Sequence, residues 1–252
     1  MAEIVNRTLQ RGLSMLELLS EHPEGLELHD IAKTLDLPKS SAHNLAQTLV
    51  SARYLSQDSA GRYRLTLKTF EVGAPVAQTT DVTQVMRQYM QEAFAACNET
   101  MHCGVISGRD VLYVDKIEST QSIRMASHVG LRMPLYATSM GKAFLAAMED
   151  SEVRALYAGV ALTPLTSHTI TDLDTLIRQL GEIRSRGYAT EDQENAENVT
   201  CIGVAVTDRD HRPTYALSIS APTFRMTPET AATCGALLLR AKRRIERVLH
   251  AL

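Results

Sequence analysis

The stretch 36-DLPKSSAHNLAQTLVSARYL-55 reads as one helix with a proline and two serines at its mouth. Ala42, Leu45, Ala46 and Leu49 recur at helical spacing and mark the side that packs inward. The other side carries Lys39, Ser40, Ser41, His43, Asn44, Gln47 and Thr48, all able to hydrogen-bond. Pro38 suits the first turn, where its missing N–H costs little. The stretch holds no catalytic set, so its polar side calls for a different use.

Working outward, residues 8–21 place Leu9, Leu13, Leu16, Leu18 and Leu19 near helical spacing, and His22-Pro23-Glu24-Gly25 ends that helix. Residues 28–35 form a short second helix with Leu28, Ile31, Ala32 and Leu35 inward. Downstream, 54–57 and 62–65 are strand-like about a turn through Gly61, a β-hairpin. Three helices and a hairpin make a winged helix-turn-helix. Asn and Gln bond adenine bidentately, Ser is less selective, and Lys holds phosphate. Lys39, Ser40, Ser41, His43, Asn44 and Gln47 are therefore the expected duplex readers, with Arg62 and Arg64 on the wing suited to phosphate.

Charge distribution agrees. The 252-residue chain has a net charge of −3. Residues 1–32 hold two basic side chains against six acidic, whereas residues 33–68 hold six basic against two acidic. A negative protein with a local basic region fits a groove reader, not nonspecific coating of nucleic acid.

Residues 67–77 continue helically and are expected to break near Gly73 and Pro75. A further helix follows, with Val82, Val85, Met86, Tyr89, Met90, Ala93 and Phe94 on one face. The expected boundaries are 1–68 for the winged domain, 69–80 for a linker helix and 81–252 for a second domain. In that second part, 101–106, 110–117, 201–208 and 214–220 read as strands. Residues 139–148, 172–187 and the C-terminal stretch read as helices, with Asp172 as N-cap and Gly187 as C-cap. Strands and helices mixed about antiparallel hairpins indicate an α+β domain.

Four cysteines at 97, 103, 201 and 234 form no CxxC pair, and eight histidines form no metal-ligand pattern. Buried free thiols in a reducing compartment are expected, with no metal, no cofactor and a cytoplasmic location. No apolar run approaches the ~18 residues of a membrane span. Enzyme signatures fail: Tyr136 stands where a Walker A loop needs glycine, and no GxSxG occurs. The acidic segment with Glu191, Asp192, Glu194 and Glu197 reads first as a solvated loop, with ligand orientation next. In 130-GLRMPLYATSMGKAFLA-146 an extended segment turns into a helix at 138–141, and free N–H groups there favour a carboxylate. Strand period two puts Ser218 and Ser220 on one side.

Three segments, GLRMPLYATSMGKAFLA, GYATEDQENAENVTCIGVAV and ALSISAP, in that order behind a winged helix-turn-helix, resemble the IclR family of bacterial transcriptional regulators over essentially the whole chain. The resemblance implies a DNA-binding domain, a linker helix and a GAF-like effector-binding domain. It implies a homodimer or homotetramer on double-stranded operator DNA. The implied activity is repression, or alternatively activation, of genes for catabolism of a small organic acid. An enzyme acting on a small carboxylate is the remote rival. The implied effector is a carboxylate or a hydroxy or sugar acid, held at Met125, Ser139, Met140, Gly141, Glu191, Cys201, Ser218 and Ser220. Arg11 matches an arginine of the family's first helix that touches DNA. Departures are Glu191 where the family pattern has Asp, Ser139-Met140 where it has Gly-Ala, and Asn44 where relatives often have Arg.

Overall fold

A computed structural model describes residues 6–78 and 81–250. The chain divides into two units, Met1–Thr80 and Asp81–Leu252.

In the first unit, α1 (Arg7–Ser20), α2 (Leu28–Thr34) and α3 (Lys39–Ser51) pack about Met15, Leu19, Ile31, Ala42, Ala46 and Tyr63. Asn6 caps α1 by accepting from the Leu9 N–H at 3.0 Å. The buried side of α1 is Gly12, Met15 and Leu19, whereas Leu9 and Leu13 are exposed. Gly12 faces α3, where a Cβ would make only an ordinary contact with Leu45 at 4.0 Å. Of the five leucines at helical spacing, Leu19 is buried, Leu16 and Leu18 are half-buried, and Leu9 and Leu13 are exposed.

A three-stranded sheet completes this unit: β1 (Leu26–Glu27), β2 (Leu55–Gln57) and β3 (Arg62–Leu65), in the order β1-β3-β2. The two-residue β1 escaped sequence reading, being too short to show alternation. α4 (Leu67–Gln78) runs unbroken through Gly73 and Pro75, contrary to the expected break. Both residues lower helix propensity, but proline's fixed φ is itself helical and neither forbids the conformation. The expected boundary at residue 80 and the side chain of Val82 lie outside the described residues.

The second unit starts with α5 (Asp81–Cys97), β4 (Thr100–Ser107) and β5 (Asp110–Ile117). β6 (Arg132–Pro134) leads through a 3-10 turn, Leu135–Ala137, into α6 (Ser139–Ala146). α7 (Asp150–Leu156), α8 (Leu173–Arg186), β7 (Ala189–Asp192), β8 (Val199–Thr207), β9 (Pro213–Pro222) and α9 (Pro228–Leu249) follow. Asp172 caps α8, accepting from the Thr175 N–H at 2.8 Å, and Gly187 ends it at φ 87°. The six strands form one antiparallel sheet, β6-β5-β4-β9-β8-β7.

The two faces of this sheet differ. Met101, Cys103, Ile202, Val204, Val206, Leu217, Ile219 and Ala221 point to α5 and α9 and form a large apolar core. Alternate positions on the same strands are small or polar: Thr100, His102 and Gly104; Cys201, Gly203 and Ala205; Ala216, Ser218 and Ser220. That face lies under α6. Val111 and Tyr113 of β5 fill part of that face, while the small residues of β8 and β9 leave the helix start close to the strands. The fold is thus α+β, a winged helix-turn-helix and a GAF-like sheet with helices on both faces. Among the described residues no helix is long and apolar enough to cross a membrane.

Candidate functional site

The first unit presents its expected readers outward. Lys39, Ser40, His43, Asn44 and Gln47 are exposed on α3, and Ser41 is half-buried. Thr48 turns back to its own helix, donating to the Asn44 carbonyl at 2.8 Å. Gln47 reaches the Tyr63 hydroxyl on β3 at 3.4 Å, which couples α3 to the hairpin. Arg11 of α1 lines a shallow groove of about 250 Å³ with Thr8, Ser41, Asn44, Leu45 and Thr48. Arginine and asparagine thus come from separate helices to one depression. Arg62 is exposed at the start of β3, at the far end of the hairpin turn.

Arg64, the other wing arginine, has a structural use. It pairs with Asp58 at 3.1 Å and donates to the Glu24 carbonyl at 2.9 Å. Asp58 organises the turn by accepting from the Ala60 and Arg62 N–H groups at 3.0 and 2.9 Å. The Arg62 N–H is the foremost reason that its carboxyl is held below the usual range.

In the second unit the strand register assembles the other set. Glu191 faces Cys201, and Cys201 faces Ser220, in one row across β7, β8 and β9. Gly203, Ser218 and His102 form the next row across β8, β9 and β4. Residues directly opposite in an antiparallel ladder share a face. Above Gly203 sits the start of α6: a Cβ on Gly203 would stand 2.6 Å from the Ser139 carbonyl carbon and 2.9 Å from the Met140 nitrogen. Thr138 caps α6 by accepting from the Gly141 N–H at 3.1 Å.

Gly141 was expected to offer an amide, but that amide is already held by Thr138. Its missing side chain instead admits Leu135, whose carbonyl oxygen lies 2.2 Å from a Cβ built at Gly141. The amides without a helical carbonyl partner are those of Ser139 and Met140. The Met140 methyl lies over Gly104, 3.3 Å from where a Cβ would be. Met125 is half-buried between β5 and β6, two residues before Ser127. The register does not join it to the rows.

The acidic segment is not a solvated loop throughout. Glu191 and Glu194 are buried, while Asp192 and Glu197 are exposed. Glu191 Oε1 accepts from the N–H groups of Glu194 and Asn195 at 2.5 and 3.0 Å. Burial nevertheless raises its pKa to about 7, against the pull of the Asn195 N–H, the Cys201 thiol and the Glu194 N–H. Burial also raises the Cys201 thiol well above its ordinary value, with the Glu191 charge beside it. Glu194 ion-pairs with Lys142 of α6, which is wholly buried. Burial depresses that lysine's pKa, and Glu194 opposes the depression. Thr166 and Thr169 donate to the carbonyls of Gln193 and Glu194, each at 2.6 Å. A strap before α8 thereby holds the loop that holds Glu191.

Sequence reading missed His102, Tyr113, Ser127 and Lys142. His102 is buried and bonds Ser218 at 3.3 Å and Ser127 at 2.8 Å. Its ring lies 4.8 Å from that of Tyr113. Burial, then the Lys116 charge, lowers its pKa to about 3 and keeps the imidazole neutral. The sequence signal was slight: Thr100 and His102 are polar at alternate positions, but Gly104 and Ile106 continue that side of the strand. Among the described residues no group of three His, Cys, Asp or Glu could hold a metal ion. The four cysteines are free thiols.

Comparison with known proteins agrees across the chain. A model of the IclR helix-turn-helix domain matches residues 8–59, and one of the bacterial transcriptional regulator IclR C-terminal domain matches residues 74–247. The HTH-type transcriptional regulator XynR of Escherichia coli K12 is 32% identical, over 96% of this chain and 97% of that protein. The HTH-type transcriptional repressor AllR of the same strain is 29% identical, over 96% and 90%. The crystal structure of the Thermotoga maritima IclR superposes with a TM-score of 0.80 at 28% identity, covering 96% of this chain and 98% of that one.

Proposed function

Because the chain belongs to the IclR family of bacterial transcriptional regulators, we propose that it is a ligand-responsive repressor whose α3 reads operator DNA and whose second unit binds a small acid. The observation that carries this reading is a pair of polar surfaces of opposite kind. One is the exposed, hydrogen-bonding side of α3, free to enter a major groove. The other is a pair of buried polar strand rows, Glu191, Cys201 and Ser220 in one and Ser218 beside Gly203 in the next, with the start of α6 resting on Gly203. The first suits a duplex and the second a small anion.

Asn44 and Gln47 read base edges. Lys39, Ser40, Ser41, His43 and Arg11 hold the helix in the groove, and Arg62 clamps phosphate from the wing. The effector is a small carboxylate or a hydroxy or sugar acid, its carboxylate on the Ser139 and Met140 amides, with Met125 as an apolar wall. The regulated genes serve catabolism of that acid. Helix-turn-helix readers engage paired half-sites, and a homodimer or homotetramer in the cytoplasm is the working form. The effector acts only by binding one state better than another; a coupling of ~1–3 kcal/mol shifts operator affinity roughly 5- to 150-fold. Repression is favoured over activation because a relative covering 96% of the chain is named a repressor.

The test is a gel-shift titration of full-length protein on the promoter beside its own gene, at moderate salt, with and without small organic acids. A sequence-preferring shift that one acid weakens supports the proposal. Equal retention of promoter and random DNA defeats it.

A further inference from the structure

We propose that His102, working with Ser218 and Ser127, is a specificity-determining part of the effector site that reads a hydroxyl group, so that the effector is a hydroxylated carboxylic acid and not a plain one. The inference rests on the acid-binding role proposed above for the start of α6.

The direction in which a bound acid can extend follows from the sheet. The helix start itself covers Gly203, so a ligand with its carboxylate on the Ser139 and Met140 amides extends beside that contact, over the neighbouring strand positions. On one side the next row is Ala205, Ala216 and Gly104, and the Met140 side chain already lies over Gly104. That apolar side is filled by the protein's own methionine. In the row of Gly203 itself the neighbours are Ser218 and then His102. Along the other row they are Cys201, Ser220 and Thr100. Whatever extends from the anchored carboxylate therefore meets hydroxyls and an imidazole.

The imidazole gives those hydroxyls a defined polarity. A neutral ring has one donor and one acceptor nitrogen. Its two nitrogens face Ser218 and Ser127 at 3.3 and 2.8 Å. One serine must therefore donate to the ring and the other must accept from it. The accepting serine keeps its own O–H free, and the donating serine keeps lone pairs free. A ligand hydroxyl, both donor and acceptor, satisfies either tautomer. A methylene in its place leaves the accepting serine's O–H without an acceptor, and this discriminates against the plain acid. Lys116, donating to the Ser127 carbonyl at 2.8 Å, fixes the segment that carries that hydroxyl. Tyr113 packs beside the ring and fixes its plane.

Isothermal titration of the full-length protein against acids matched in carbon number tests this: glycerate with propionate, and gluconate with hexanoate. The hydroxylated member of at least one pair should bind more than about tenfold tighter. His102→Phe keeps a flat ring without its nitrogens and should bring the ratio within about threefold, chiefly by weakening the hydroxylated acid. Ser127→Ala, in a half-buried segment outside the sheet, should reduce the ratio in the same sense and serves if the first variant does not fold. An unchanged ratio in a folded variant, or a plain acid bound as tightly as its hydroxylated partner, overturns the proposal. If no acid binds the wild-type protein while operator binding is intact, the acid-effector reading itself falls, and this inference with it.

Discussion

Gly203 lies directly beneath Ser139: a side chain at position 203 would stand 2.6 Å from the Ser139 carbonyl carbon. The start of α6 can rest on the sheet only because that strand position has no Cβ. Gly203→Ala must lift the helix start or bend the strand. Overpacking of this sort costs ~1–3 kcal/mol. Urea unfolding of the second unit should show the loss, and the gel shift should lose its response to the effector while DNA binding persists.

Breaking the buried Lys142–Glu194 pair should be more damaging than removing it whole. Lys142→Met leaves a buried carboxylate unpaired, a loss of ~3–5 kcal/mol, whereas Lys142→Met with Glu194→Met should recover most of it. Glu194 Oε2 already has no hydrogen-bond partner, so the intact pair is not fully satisfied. Denaturant midpoints of the single and double variants decide this. A double variant no better than the single would contradict it.

Two buried groups bend the pH profile of stability in opposite directions. Glu191 has a folded pKa of about 7 against an ordinary 4.5. Between those values it binds more protons folded than unfolded, so its contribution falls as pH rises through that window. His102, at about 3 against 6.5, binds fewer protons folded, and its contribution is lost as pH falls from 6.5 toward 3. The two oppose one another where the windows overlap. Glu191→Gln should make stability climb more steeply with pH there, and His102→Asn should turn the slope downward. Thermal midpoints across the acidic range provide the measurement. Parallel profiles for wild type and both variants would refute the assignments.

On DNA, Asn44 and Arg62 should separate specificity from electrostatics. Asn44→Ala should cost ~1–3 kcal/mol on the operator and relax preference at one base. Arg62→Ala should weaken operator and random DNA alike and reduce the salt slope by ~1. Loss of equal size on both DNAs from Asn44→Ala would remove that residue from base reading.

Much of the fold was legible because its signals are local. The polar and apolar sides of residues 39–51, the Asp172 and Gly187 caps and the wing turn each depend on a few neighbouring residues. The misreadings arose where packing overrode the local signal. Leu9 and Leu13 share helical spacing with Leu19 but are exposed, the buried side of α1 being Gly12, Met15 and Leu19. α4 continues through Pro75 although proline disfavours helix interiors.

The candidate effector site was less legible for a related reason. Ser218 and Ser220 showed their common face through the strand's period. His102 was hidden in TMHCGVIS, a strand buried on both sides in which apolar residues mask the alternation. Lys142 and Glu194 are 52 residues apart, and no spacing rule links them.

By itself, the sequence determined the order of elements, the division into a helix-turn-helix unit and an α+β unit, and the family. Those follow from propensities, caps and periodicity, which act over a few residues. Only the tertiary structure decided which polar groups meet. Strand register brings Ser218 against His102, and a missing Cβ at Gly203 seats the start of α6 on the neighbouring strand. Register and close approach are properties of elements far apart in the chain, fixed when the sheet and helix bury their surfaces together.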